Sequence, residues 1–120
     1  MKKALIGLHA ELERGVYVGC CNGRYEVTAV GRVDEMRARV LEGPFDLYFM
    51  DLNLGHPGSP DVSPAIEIWG MVRERVEQGL TKFLGISAAD AAVAAAKADG
   101  IPALLKDWKC GEEIAKFLSS

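Results

Sequence analysis

Four polar side chains stand where short apolar runs stop. His9 follows Ala4-Leu5-Ile6-Gly7-Leu8, Asp51 closes the run that starts at Phe45, Ser87 follows Phe83-Leu84-Gly85-Ile86, and Lys106 follows Pro102-Ala103-Leu104-Leu105. A carboxylate is a nucleophile and a ligand for hard cations. A fixed ammonium and a hydroxyl donate to negative charge. An imidazole titrates near neutral pH and serves as base or ligand. Such groups do chemistry together only if the fold gathers them, so the elements that carry them come next.

The chain alternates between short apolar runs and segments of helical period. Ala4–Leu8 is apolar throughout, as a strand buried on both faces should be. Leu12, Val16 and Cys20, spaced by four, mark a weaker helix that Asn22-Gly23 stops. Tyr25–Val30 reads as a second strand. Val33, Met36, Val40 and Leu41 share one helical face, which Gly43-Pro44 ends. Phe45–Leu52 is a third strand, broken only by Asp46, and a loop rich in Gly, Pro and Asp runs from Asn53 to Val62. Ser63-Pro64 supplies an N-cap and a first-turn proline. Ala65, Ile68, Trp69, Val72 and Val76 continue that helix to Gly79. Phe83–Ile86 is a fourth strand. Ala89–Asp99 is alanine-rich and helical, with Gly100 as its stop. Pro102–Leu105 is a fifth strand, and Ile114, Phe117 and Leu118 lie on one face of a last helix.

Strands alternating with helices predict an α/β domain with a doubly wound parallel sheet. Crossovers in such sheets are right-handed. Ligands bind at the carboxyl ends of the strands. That rule selects His9, Asp51, Ser87 and Lys106.

Composition narrows the function. The 120 residues predict one domain, 1–120, and 49% apolar residues allow a real core. A net charge of −3 gives no polycation signature, so neither nucleic acid nor an anionic membrane is expected as a partner. No apolar run approaches the roughly 20 residues of a membrane span, and the start lacks a signal-peptide pattern. A cytoplasmic protein is expected. Cys20, Cys21 and Cys110 are odd in number and lack metal spacing, so they read as thiols packed as small apolar groups. No G-x-G-x-x-G, P-loop or cobalamin-type Asp-x-His-x-x-Gly is present, which weighs against a cofactor enzyme on this scaffold.

Phe-Met-Asp-Leu-Asn-Leu (49–54), Gly-Ile-Ser-Ala (85–88) and Leu-Leu-Lys-Asp (104–107) resemble three strand ends of response-regulator receiver domains. Asp46 and Ala-Ala-Ala-Lys-Ala-Asp-Gly (94–100) are similar to further family positions, and the likeness covers the whole chain in order. It implies a flavodoxin-like (βα)5 fold with strand order 2-1-3-4-5. It also implies Asp51 as phosphoacceptor, Ser87 as switch hydroxyl and Lys106 as the cation on the phosphoryl group. The chemistry is coherent. A carboxylate attacking in line gives a mixed anhydride, and the charge on the transferred group calls for an ammonium and a hydroxyl. The family also uses Mg²⁺, held by an acidic pair after the first strand, by the phosphoacceptor (here Asp51) and by a backbone carbonyl (here Asn53).

The chain departs from the pattern at the metal. Leu8 and His9 occupy the acidic positions, and neither suits a hard cation. Glu11 is the nearest carboxylate and the candidate substitute, so Mg²⁺ is expected to bind weakly. Without it, Lys106 alone offsets an incoming phosphate, and a Leu8→Asp, His9→Asp double change should repair the site. The loop after Asp51 is long and contains His56. Ala103 stands where a switch aromatic is common, and Asp107 replaces the family's proline.

Two functions of different class follow. One is a phosphorelay signalling domain that accepts phosphate on Asp51 from a histidine kinase or phosphotransfer protein and acts through a protein partner. The other is a pseudo-receiver, a binding module that docks partners without phosphorylation. Neither is an enzyme acting on a separate substrate. The resemblance puts the partner on the fourth helix, fifth strand and fifth helix, and Glu at Ala92 and Ala95 should block it without lowering the melting temperature. Trp69 and Trp108 read as packing or interface residues rather than a cofactor box.

Overall fold

The computed structural model describes residues 1–21, 23–56, 59–107 and 110–119; Asn22, Pro57, Gly58 and Trp108, about which the sequence carries expectations, lie outside that set. The order is β1 (Lys2–Gly7), α1 (Glu11–Cys21), β2 (Tyr25–Val30), α2 (Val33–Glu42), β3 (Leu47–Asp51), α3 (Ser63–Glu77), β4 (Lys82–Ser87), α4 (Asp90–Ala98), β5 (Ala103–Leu105) and α5 (Cys110–Ser119). The strands form one sheet, β2-β1-β3-β4-β5, with every neighbouring pair parallel. This is the flavodoxin-like order that the strand-end motifs imply.

The apolar runs explain the two covered faces. All five residues of β3 are buried. Side chains alternate along a strand, so Leu47 and Phe49 join Ala4, Ile6, Leu84 and Ile86 beneath Cys21 of α1 and Ile114 and Leu118 of α5. Tyr48 and Met50 join Leu5 and Phe83 on the other face, beneath Met36 of α2, Ile68, Trp69 and Val72 of α3, and Ala92 and Ala96 of α4. Trp69 meets Phe83 edge-on at 5.3 Å, the packing role expected of it. Each such large apolar side chain contributes about 1.5–3 kcal/mol by leaving water.

Register brings the strand ends into line. Gly7 pairs with Met50, Asp51 with Ile86, and Ser87 with Leu105. The residues just beyond β1, β3, β4 and β5 therefore share one edge of the sheet. Gly7 must be small there, because a Cβ would come within 2.7 Å of Met36 Sδ.

Several local expectations are corrected. Leu12 and Val16 are 87% and 62% exposed, and Cys20 is exposed too. The inward face of α1 carries Tyr17, Val18 and Cys21 instead. Glu13 and Arg14 lie on the same side and turn inward to bonds described below, and Tyr17, Val18 and Cys21 follow them three and four residues on. Leu41 is likewise exposed at the end of α2. Ser63 is inside α3 rather than capping it. The cap position is Val62, and Asp61 Oδ1 accepts both the Ser63 N–H (2.9 Å) and its hydroxyl (2.5 Å). Ala92 is fully buried, so it belongs to the core and not to a partner face.

Candidate functional site

Asp51 has the parity of Leu47 and Phe49, so its side chain leaves the end of β3 toward the face covered by α1 and α5. It is fully buried. Both carboxylate oxygens are engaged. Oδ2 accepts the backbone N–H of His9 at 3.0 Å, and the His9 ring Nδ1 lies 2.8 Å from the same oxygen. Lys106 Nζ lies 2.8 Å from Oδ1. The ammonium contact is an ion pair and the ring contact a close approach, neither an aligned hydrogen bond, since Nδ1 and Oδ1 complete no bond of regular geometry.

The loop that carries His9 is fixed from behind. Leu8 N–H donates to Val30 O at 3.1 Å, and the Leu8 side chain is fully buried in the α1–α5 cluster. Arg14 Nη1 donates to Leu8 O at 2.7 Å and to His9 O at 3.3 Å. The guanidinium rests over Gly31, where a Cβ would sit 2.5 Å from Nη1. Lys106 is fixed in the same way. Its N–H donates to Ser87 O at 2.7 Å, and its ammonium donates to Glu13 Oε1 at 3.0 Å as well as facing Asp51. Burial acts to lower the lysine pKa, but its contacts with Asp51 and Glu13 outweigh that and hold it above the ordinary lysine value.

The structure thus brings Asp51, Lys106 and His9 into direct contact at the carboxyl edge. Ser87 is buried at the same edge, at the end of β4. Its Oγ accepts the Ala89 N–H at 3.1 Å, so it shapes the turn before α4 and does not occupy the cap of that helix, which is Ala89. Glu13 and Arg14 were missed by sequence reasoning. Their signal was a helical wheel drawn through positions 13, 14, 17 and 21 rather than through the more apolar 12, 16 and 20.

The groups expected to hold Mg²⁺ do not fit it. Leu8 is turned into apolar core, and His9 presents nitrogen to Asp51. The Asn53 carbonyl accepts the His56 N–H at 2.8 Å. Glu11 is exposed at the first position of α1. Among the described residues no three His, Cys, Asp or Glu side chains gather at metal spacing. A hard cation that wants several oxygens would find Asp51, whose two oxygens face nitrogen, and Glu13, which is paired with Lys106. The burial of Leu8 also corrects the double repair, because aspartate at that position would be buried in apolar surroundings.

Other candidates lie elsewhere. Asp46 precedes β3 at the opposite end of the sheet and accepts the Lys3 N–H at 2.8 Å. It lines, with Lys3, Arg39 and Arg75, a cavity of about 560 Å³ remote from Asp51. His56 is exposed. Cys21 is buried, which pushes its thiol pKa up, whereas Cys20 is exposed and departs from the packed-thiol expectation. No helix among the described residues is long and apolar enough to cross a membrane.

No protein-family model and no curated protein matches the chain. Solved structures do. The response regulatory domain of protein mrkE from Klebsiella pneumoniae is similar at 13% identity and a TM-score of 0.65, covering 98% of this chain and 92% of that one. A CheY-like response regulator receiver domain from Methylobacillus flagellatus is similar at 18% identity and 0.59, covering 98% of both chains. The BeF3-activated conformation of SdrG from Pseudomonas melonis Fr1 is similar at 21% and 0.58, covering 98% and 92%. The fold is that of response-regulator receiver domains.

Proposed function

We propose that this chain is a two-component signalling domain that accepts a phosphoryl group on Asp51 and acts in the cytoplasm through a protein partner. The observation that carries this reading is the 2.8 Å approach of Lys106 Nζ to Asp51 Oδ1 at the carboxyl edge of a receiver fold, with Ser87 at the same edge. A histidine kinase or phosphotransfer protein is the donor. An Asp51 oxygen attacks the phosphorus of its phosphohistidine, the P–N bond breaks, and the donor imidazole leaves with the electron pair. The product is an acyl phosphate on Asp51. Lys106 and the Ser87 hydroxyl meet the negative charge of the transferred group. Partner docking then belongs to the exposed surface of α4, β5 and α5.

The test is intact-mass measurement after incubation with acetyl phosphate, a small-molecule donor. One added phosphoryl group, absent from Asp51→Asn, supports the reading. An unmodified mass from the folded protein at every donor concentration sinks it.

One observation favours a second reading, that of a binding module which docks partners without phosphate. Asp51 is fully buried, and both its oxygens already face nitrogen partners. On that reading Asp51→Asn leaves partner capture unchanged, whereas on the first it abolishes the donor-dependent part.

A further inference from the structure

We propose that His9 takes the place of a divalent cation at Asp51, so that phosphoryl acceptance there is metal-independent. This inference rests on the phosphoacceptor reading above and deepens it.

The two carboxylate oxygens have different surroundings. Oδ2 is held on the His9 side by the backbone N–H at 3.0 Å and the ring Nδ1 at 2.8 Å. Oδ1 faces the Lys106 ammonium at 2.8 Å. In the transfer, Oδ1 attacks phosphorus and the bond from phosphorus to the leaving group breaks, the leaving group taking the electron pair. Oδ2 then becomes the carbonyl oxygen of the acyl phosphate. A cation at Oδ2 would serve to hold that oxygen and to offset charge beside the reacting centre. His9 already occupies that place, its backbone N–H donating to Oδ2 and its ring nitrogen lying against the same oxygen, the one that does not attack.

The His9 loop is also preorganised, which is what makes fixed donors effective. Leu8 is anchored through its N–H to Val30 O and through its side chain to the core. Arg14 ties down the carbonyls of Leu8 and His9. The His9 N–H is therefore held toward Oδ2 before any donor arrives. No competing set of three ligating side chains is assembled among the described residues, because Leu8 is apolar and buried, Glu11 is exposed, and Glu13 is paired with Lys106.

The experiment uses the whole chain, acetyl phosphate, and intact mass followed over time in EDTA or in excess Mg²⁺. Metal binding is read separately from the electron paramagnetic resonance of added Mn²⁺. Labelling at Asp51 is expected at rates within about twofold in the two media, with no Mn²⁺ bound in the absence of donor. His9→Ala, which keeps the backbone N–H and removes only the ring beside Oδ2, should label about tenfold more slowly in EDTA. His9→Asp, which puts an oxygen ligand beside Asp51 and leaves Leu8 in the core, should label only with Mg²⁺. Both variants are checked for folding by urea titration, and the wild-type comparison needs neither.

Labelling of the wild type that rises more than about tenfold with Mg²⁺ overturns the inference and leaves the phosphoacceptor reading standing. Tight Mn²⁺ binding by the wild type overturns it as well. If no label appears in either medium, the phosphoacceptor reading fails and the inference fails with it.

Discussion

The backbone N–H and the ring Nδ1 of His9 reach the same oxygen of Asp51, at 3.0 and 2.8 Å, across 42 residues of sequence. That contact changes the electrostatics expected of the site. A carboxylate buried alone is costly, and it keeps its charge only when charge and hydrogen bonds compensate it. Here compensation comes from two sides, His9 at Oδ2 and Lys106 at Oδ1, rather than from Lys106 alone.

The two carboxylates that share Lys106 should differ in weight. Asp51 is fully buried, whereas Glu13 is 32% exposed. Lys106→Met strips the buried carboxylate of one partner and should cost about 2–4 kcal/mol in urea unfolding. Glu13→Gln breaks a partly solvated pair and should cost under about 1 kcal/mol. Equal losses from the two changes would show that Asp51 is compensated elsewhere.

Lys106 also sets a pH dependence. Its pKa is raised in the folded state above the ordinary value of 10.5, with Asp51 and Glu13 overcoming the opposing effect of burial. The folded protein then holds this proton more tightly than the unfolded chain. The resulting stability is complete below the unfolded value and is lost as pH rises through the folded one. Urea midpoints should fall more steeply in the alkaline range beyond 10.5 for the wild type than for Lys106→Met. Parallel curves would remove Lys106 from the account.

Much of this fold was legible because β3 and β4 are apolar runs closed by polar residues, a pattern that only a sheet covered on both faces satisfies. Asp51, Ser87 and Lys106 were found by the same logic. The place of His9 at a strand end was legible too, but its partner was not, since a histidine after a strand says nothing of what stands opposite it until register places Gly7 beside Met50. Glu13 and Arg14 were invisible for another reason. The apolar stripe of Leu12, Val16 and Cys20 is the more obvious face of α1, yet the side that faces the sheet carries Tyr17, Val18 and Cys21 together with the polar contacts of Glu13 and Arg14. Ala92 misled in the opposite way. In so alanine-rich a helix, composition does little to distinguish the buried face from the open one.

The α4 surface can now be probed with the correct residue. Ala95 is exposed, whereas Ala92 is fully buried beneath the sheet. Ala95→Glu should leave thermal unfolding within a degree or two of the wild type while blocking a partner that docks on α4. Ala92→Glu should lose about 4 kcal/mol or more, because it buries a carboxylate and overfills the core. A large drop in melting temperature for Ala95→Glu would put that side chain in the core.

The adjacent cysteines should report the rotation of α1. Cys20 is exposed and Cys21 is buried, with burial raising the Cys21 thiol pKa and so lowering its thiolate fraction. Iodoacetamide under native conditions should label Cys20 readily and Cys21 only after denaturant is added, as read by peptide mass spectrometry. Comparable native labelling of both would turn the helix by about one residue, roughly 100° at 3.6 residues per turn.

Arg14 is the positioning residue behind His9, and its bonds can be separated from its bulk. Arg14→Ala removes donors to Leu8 O and His9 O, so it should cost about 1–2 kcal/mol. It should also speed hydrogen exchange at the His9 amide, because the N–H that reaches Asp51 is no longer braced. Gly31→Ala attacks the same bonds from the other side. The backbone at Gly31 accepts alanine without a positive φ, but the new Cβ would sit 2.5 Å from Arg14 Nη1, the mobile end of that side chain. The guanidinium must then move away from the two carbonyls. Because both substitutions act through one group, their effects should not add. Gly31→Ala should accelerate His9 amide exchange in the wild type and leave it unchanged in Arg14→Ala. Additive effects in the double variant would mean that Gly31 acts through something other than Arg14, and the brace on His9 would have to be sought in the Leu8 anchor alone.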